Sequence, residues 1–236
     1  MLKFRSFATS LSLVFTTIVI TAAAVSAAPI TLPTGLNPGD QYRLAFITSS
    51  GRNATSTDIT DYNSFVSGMA NGVTELAALG TSWTAIASVP GTDASENTDT
   101  EFGASPDLPI YLLDGTKVAD GILDFWDSSR DVPINITETG SFYSGLEFVW
   151  TGTDSLGTGE FGEWLGTSGP VVGNLLAIDG GWINDGSFPS SLNLSLYGMS
   201  GVLTVTAVQE PASVAILAMS LVVLTASRWR RQRQRG

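Results

Sequence analysis

The chain has 236 residues, 22 of them acidic and 11 basic, and contains no cysteine and no histidine. That length holds one ordinary domain plus short flanking segments. The two missing residue types exclude disulfides, the usual zinc sites, a thiol nucleophile and a histidine general base.

Charge is segregated along the chain. Lys3 and Arg5 open it, and Arg228, Arg230, Arg231, Arg233 and Arg235 close it. Between Pro29 and Ser227, Arg43, Arg52, Lys117 and Arg130 stand against all 22 acids, a net of −18. A surface of that sign repels phosphate backbones, so nucleic acid is not expected as a partner.

Met1–Ala28 reads as a secretory signal peptide. Lys3 and Arg5 form its charged start and Leu11 to Val25 its apolar stretch. Either Val25-Ser26-Ala27 or Ser26-Ala27-Ala28 offers small residues to a signal peptidase.

Residues 29–208 then form one expected domain. Tyr42–Thr48 alternates in side-chain size and predicts a strand. Ser56 or Thr57 is placed to cap a helix carrying Ile59, Tyr62, Phe65, Val66 and Met69, stopped at Asn71-Gly72. Thr74–Leu79 predicts a second short helix ended by Gly80, and Trp83–Val89 a second strand. Asp93–Pro109 reads as a solvated acidic loop, with Asp93, Glu96, Asn97, Asp99 and Glu101 along it. Asp114-Gly115 between Ile110–Leu113 and Thr116–Val118 marks a hairpin. Beyond Trp126, Gly-rich loops separate short strands, the clearest being Leu146–Thr151 and Gly201–Thr206. Helices early and strands late predict an α+β domain. Trp83, Trp126, Trp150, Trp164 and Trp182 are expected to be core.

The C-terminus has three parts in order: Gln209-Glu210-Pro211-Ala212-Ser213, an apolar run from Val214 to Ala226, and the arginine-rich end. Residues 212–227 fall short of the ~20 that a stable transmembrane helix needs, and the arginines would stay cytoplasmic. This order resembles the PEP-CTERM sorting signal of bacterial envelope proteins, with Gln209 where that family carries its first proline. The resemblance implies a sorting motif at Glu210 and Pro211. It also implies brief anchoring through a C-terminal transmembrane helix at residues 212–227, and cutting by the membrane protease-transpeptidase exosortase. The protein would be exported, held at the inner membrane, then released to the surface or the exopolysaccharide matrix.

A second resemblance covers roughly Tyr42 to Val205. Leu113-Asp114-Gly115-Thr116, Phe125-Trp126-Asp127, Glu147–Asp154 and Trp182-Ile183-Asn184-Asp185, in that order, are similar to the endostatin-like branch of the C-type-lectin-like fold. The resemblance implies an α+β, C-type-lectin-like domain, here without disulfides. The zinc and heparin ligands of endostatin and the sugar motif of calcium-dependent lectins are absent, so none of those activities carries over.

Two sites remain as candidates. Asp179, Asn184 and Asp185 bracket Trp182 and offer three side-chain oxygens to a weakly held calcium ion; no other cofactor is expected. Glu160 and Glu163 flank Phe161 and Trp164, the residue types of a carbohydrate-active hydrolase, but their Gly-rich setting argues against a shared helical face. The favoured expectation is a non-enzymatic module binding an extracellular glycan or protein; the alternative is a hydrolase of the cell envelope.

Overall fold

The computed structural model describes residues 28–103 and 106–206. In chain order it contains β1 (Gln41–Ile47), α1 (Ile59–Asn71), α2 (Thr74–Ala77), β2 (Trp83–Ala85) and α3 (Ala94–Asn97). There follow β3 (Ile110–Leu112), β4 (Lys117–Ala119), α4 (Ile122–Phe125), β5 (Phe148–Trp150) and β6 (Val171–Asn174). β7 (Gly186–Ser187), β8 (Ser195–Ser200) and β9 (Leu203–Thr204) complete it.

Among the described residues the nine strands form one mixed sheet in the order β4-β3-β1-β8-β5-β6-β7, with β2 also paired to β8 and β9 to β1. β1 runs parallel to β3 and antiparallel to β8, and β5 runs parallel to β8. β1 and β8 lie at the centre, and every residue of β8 is buried.

The expected α+β, C-type-lectin-like (endostatin-like) class is corrected by this architecture, which is sheet-rich with few and short helices. Among the described residues, α1 is the one helix longer than four residues. Thr74–Leu79 sustains a single turn before Gly80 turns the chain at φ +60°. Helices and strands do not separate along the chain, because β1 comes early and sits at the middle of the sheet. No helix among the described residues is long and apolar enough to cross a membrane. Residues 1–27 of the signal segment, the motif Glu210-Pro211, the span 212–227 and the arginine tail lie outside the described residues.

α1 starts at Asp58 rather than at Ser56 or Thr57. The Asp58 carboxylate accepts from the Thr60 N–H at 2.9 Å and its hydroxyl at 2.8 Å, and these bonds hold it below the usual carboxylate range. Ser56 instead accepts from the Asp58 N–H. Tyr62, Val66 and Ala70 point into the core at helical spacing. Gly198 of β8 admits Val66: a Cβ there would lie 2.6 Å from Val66 and 2.8 Å from Phe46. Phe46 in turn meets the edge of Trp83 at 5.3 Å.

A second aromatic group joins Phe125, Trp126, Trp182 and Tyr197, with neighbouring ring centroids 4.8–5.8 Å apart. The Arg130 guanidinium lies 3.2 Å from the Trp182 ring centre and 4.2 Å from that of Phe125. Burial pushes it down to about 9, so it is still a cation at neutral pH. Of the five tryptophans expected in the core, Trp164 is half-buried and the other four are buried.

Buried phenols, Tyr62 and Tyr197 most strongly, act to lower stability in alkali. Burial raises Tyr62 to about 12, and burial also pushes Tyr197 upward. A phenol whose folded pKa exceeds its unfolded value near 10 stabilises the fold fully below pH ~10 and loses that contribution as pH rises further. Unfolding midpoints are therefore expected to fall above pH ~10, and Tyr62→Phe to shallow the fall. An unchanged pH dependence in that variant would mean that Tyr62 titrates as if exposed.

Candidate functional site

The expected acidic loop is only partly solvated. Arg43, buried in β1, reaches across to it: its guanidinium donates to the carbonyls of Thr98 at 3.0 Å and Asp99 at 2.7 Å, and pairs with the Asp99 carboxylate at 3.3 Å. Burial lowers the Arg43 pKa, and Asp99 counters part of that. Asn63 of α1 and Asn97 of α3 exchange two amide hydrogen bonds, at 2.7 and 2.9 Å. Asn97 also donates to the Ala85 carbonyl. These bonds fix α3 and the turn after it against α1 and the sheet.

The turn places Thr100 inside the protein and Glu101 and Phe102 outside. Thr100 Oγ1 accepts from the Trp126 indole N–H at 3.0 Å, fixing the ring just after α4. Gly157, at φ +82°, lies against the same ring: a Cβ there would come within 2.9 Å of it. Packed in this way, Trp126 is only 8% exposed. The loop carrying Gly157 is built around Asp154, whose carboxylate accepts from the N–H groups of Leu156 and Thr158 and from the Thr158 hydroxyl. Asp93, just before α3, accepts from the Gly159 N–H at 2.8 Å and ties the two loops together.

The result is an open cleft of about 430 Å³ between α3, α4 and the 154–159 loop. Asp93 and Glu101 line it beside Ser95 and Trp126, and three large apolar side chains rise around it. Phe102 is 79% exposed, Leu156 66% and Leu123 61%. The Leu156 N–H donates to the Asp154 carboxylate, which holds that side of the rim in place. Two other hollows lack this mixture. One of about 480 Å³ between α2 and β9 is lined without any charged side chain; one of about 260 Å³ beside Phe142 is lined largely by Ser and Thr hydroxyls.

The candidates taken from sequence sit elsewhere. Asp179 accepts from the Gly181 N–H at 3.0 Å and caps the single turn Gly180–Trp182. Asn184 donates to the Glu160 carboxylate at 2.9 Å, and Asp185 accepts from Asn174 at 3.4 Å. Asp179 and Asp185 approach each other across Gly181, where a Cβ would lie 3.0 and 3.4 Å from one oxygen of each. The Asn184 amide, engaged by Glu160, is drawn into a different contact. Among the described residues, no group of three or more acidic side chains is arranged to hold a metal ion. Phe161, 88% exposed, stands edge-on to Trp164 at 5.4 Å, with the Glu163 N–H donating to the Glu160 carbonyl.

Sequence reasoning missed the cleft because Asp93 and Glu101 looked like parts of a charge run. The signal that could have found it is Glu101-Phe102, an aromatic residue inside an otherwise polar loop. Compared with known proteins, the chain matches no family model and no curated protein.

Proposed function

We propose that this chain is an exported envelope protein whose folded part is a non-catalytic binding module, with the cleft between α3, α4 and the 154–159 loop as its contact surface. The observation that carries this is the set of apolar side chains at the cleft. Phe102, Leu123 and Leu156 each expose well over half of their surface around one hollow. Clustered apolar surface facing water commonly marks a contact site.

Export rests on the two ends of the sequence. A charged and apolar start suits a signal peptidase, and the motif–span–arginine order at the C-terminus resembles the substrates of exosortase. A glycosidase would need a sheltered general acid opposite a second carboxylate. Glu101 is open to solvent, which favours binding over catalysis.

Both halves can be tested. Glu210→Ala combined with Pro211→Ala is expected to leave a full-length, membrane-retained protein. Release as efficient as that of the parent would remove the sorting reading. For the cleft, the full chain is applied to an array of matrix glycans and proteins, with and without calcium. Phe102→Ser combined with Leu156→Ser is expected to weaken capture at least ~10-fold without moving the melting temperature, since both side chains are largely exposed. Capture unaffected by the pair would place the contact surface elsewhere.

A further inference from the structure

The cleft's chemistry narrows its occupant. Two carboxylates line it, Asp93 before α3 and Glu101 after it, and among the described residues no basic side chain does. The field of the domain adds to this, with four basic residues against 22 acids between Pro29 and Ser227. A cation is drawn toward such a surface and an anion is kept from it. The rim selects in a second way. A sugar ring seeks a flat aromatic face, but Trp126 is 8% exposed and its face is covered by Gly157. What the cleft offers is two leucines and one phenylalanine standing free. Those are contacts for branched or aromatic side chains, inserted between them as anchors. At about 430 Å³ the hollow falls within the ~300–1,000 Å³ usual for small-ligand pockets. That is room for a few side chains, not for a helix face.

Resting on the proposed binding role, we infer that the cleft takes a basic, apolar peptide segment of a partner protein: a leucine or phenylalanine anchor among Phe102, Leu123 and Leu156, flanked by lysine or arginine reaching Asp93 and Glu101. Attraction between unlike charges would speed encounter and fall with added salt. The apolar anchor would hold the complex once formed.

The test uses the full chain and synthetic end-blocked peptides, read by fluorescence anisotropy. The probe carries leucine and phenylalanine between lysines. One control replaces lysine with glutamate, a second replaces the apolar pair with serine, and a third is a neutral cello-oligosaccharide. Only the first probe is expected to bind, and its affinity should fall at least ~10-fold on raising salt from low to near 0.5 M. Glu101→Gln alone, at an exposed position, should weaken it several-fold at an unchanged melting temperature; adding Asp93→Asn, whose amide oxygen can still accept from the Gly159 N–H, should weaken it at least ~10-fold, with folding of the double variant checked by circular dichroism. Equal binding of the glutamate peptide, or no effect of Glu101→Gln, overturns the cationic assignment while leaving the cleft as a contact surface. Binding of the oligosaccharide in place of the peptide overturns the partner class. If no probe binds, and Phe102→Ser with Leu156→Ser also leaves array capture unchanged, the binding role itself fails.

Discussion

Gly173→Ala is expected to cost about 3 kcal/mol or more of stability, enough to unfold the protein under mild conditions. Gly173 lies in β6, facing the backbone that follows the Gly180–Trp182 turn. A Cβ there would fall 2.0 Å from the Trp182 carbonyl oxygen and 2.7 Å from its carbon. No rotamer relieves a clash with backbone, so either β6 leaves β5 and β7 or the turn moves off the sheet. The second course would drag Trp182 out of the aromatic group. Chemical denaturation measures the loss, and two other glycines serve as controls. Nothing lies within 4 Å of a Cβ built on Gly169. The same holds for Gly68 inside α1, where alanine should add up to about 1 kcal/mol through its better helix propensity. A Gly173→Ala protein as stable as the Gly169→Ala protein would show that the close approach of β6 to the turn is not required.

Trp182→Ala should cost about 3–5 kcal/mol, because it empties a fully buried indole site. It also strips one face from Arg130. That guanidinium is buried, and among the described residues none of its nitrogens finds a hydrogen-bond acceptor. Its stabilising contacts are the ring faces of Trp182 and Phe125. The lowered pKa means that these ring contacts do not fully offset the hydration the cation has lost. Arg130→Met, which keeps the length and discards the charge, is thus expected to leave stability unchanged or to raise it. The two substitutions should not add: Trp182→Ala ought to be milder once Arg130 is Met, since no cation is then left beside a cavity. Strict additivity in a double-mutant cycle would mean that the stacking carries no energy.

How much of this could be read in advance differs from element to element. β1 and α1 were legible because each repeats its pattern over seven or more residues. The hairpin of β3 and β4 was legible because Asp114 accepts from the Thr116 N–H and Gly115 takes φ +85°, which is what the Asp-Gly pair implies. β8 was not. Its residues Ser195-Leu196-Tyr197-Gly198-Met199-Ser200 are buried on both faces, so they neither alternate nor form an apolar run, and Gly198 reads as a break. Losing the central strand hid how β8 pairs with β1, and the fold class was misjudged with it. The candidate calcium loop was read from the oxygen-bearing side chains of Asp179, Asn184 and Asp185 and from the likeness of Trp182-Ile183-Asn184-Asp185 to a lectin-type segment. Neither could reveal that Asn184 turns to Glu160, a partner 24 positions away. The cleft needed three loops brought together by Asp93 and Arg43, contacts that leave no periodic trace in sequence.

The placement of the domain's few cations has a consequence outside the sheet. A protease that cuts after lysine or arginine needs such a residue in a strand it can draw into its own active site. Of the four basic residues among the described residues, Arg43 and Arg130 are 1% and 6% exposed. Arg52 is half-buried; its guanidinium donates to the Asp61 carbonyl at 2.6 Å and rests on the Tyr62 ring. Lys117 of β4 remains, half-open and paired with Asp120 just after the strand. To a protease of this specificity the folded domain offers scarcely one place to begin.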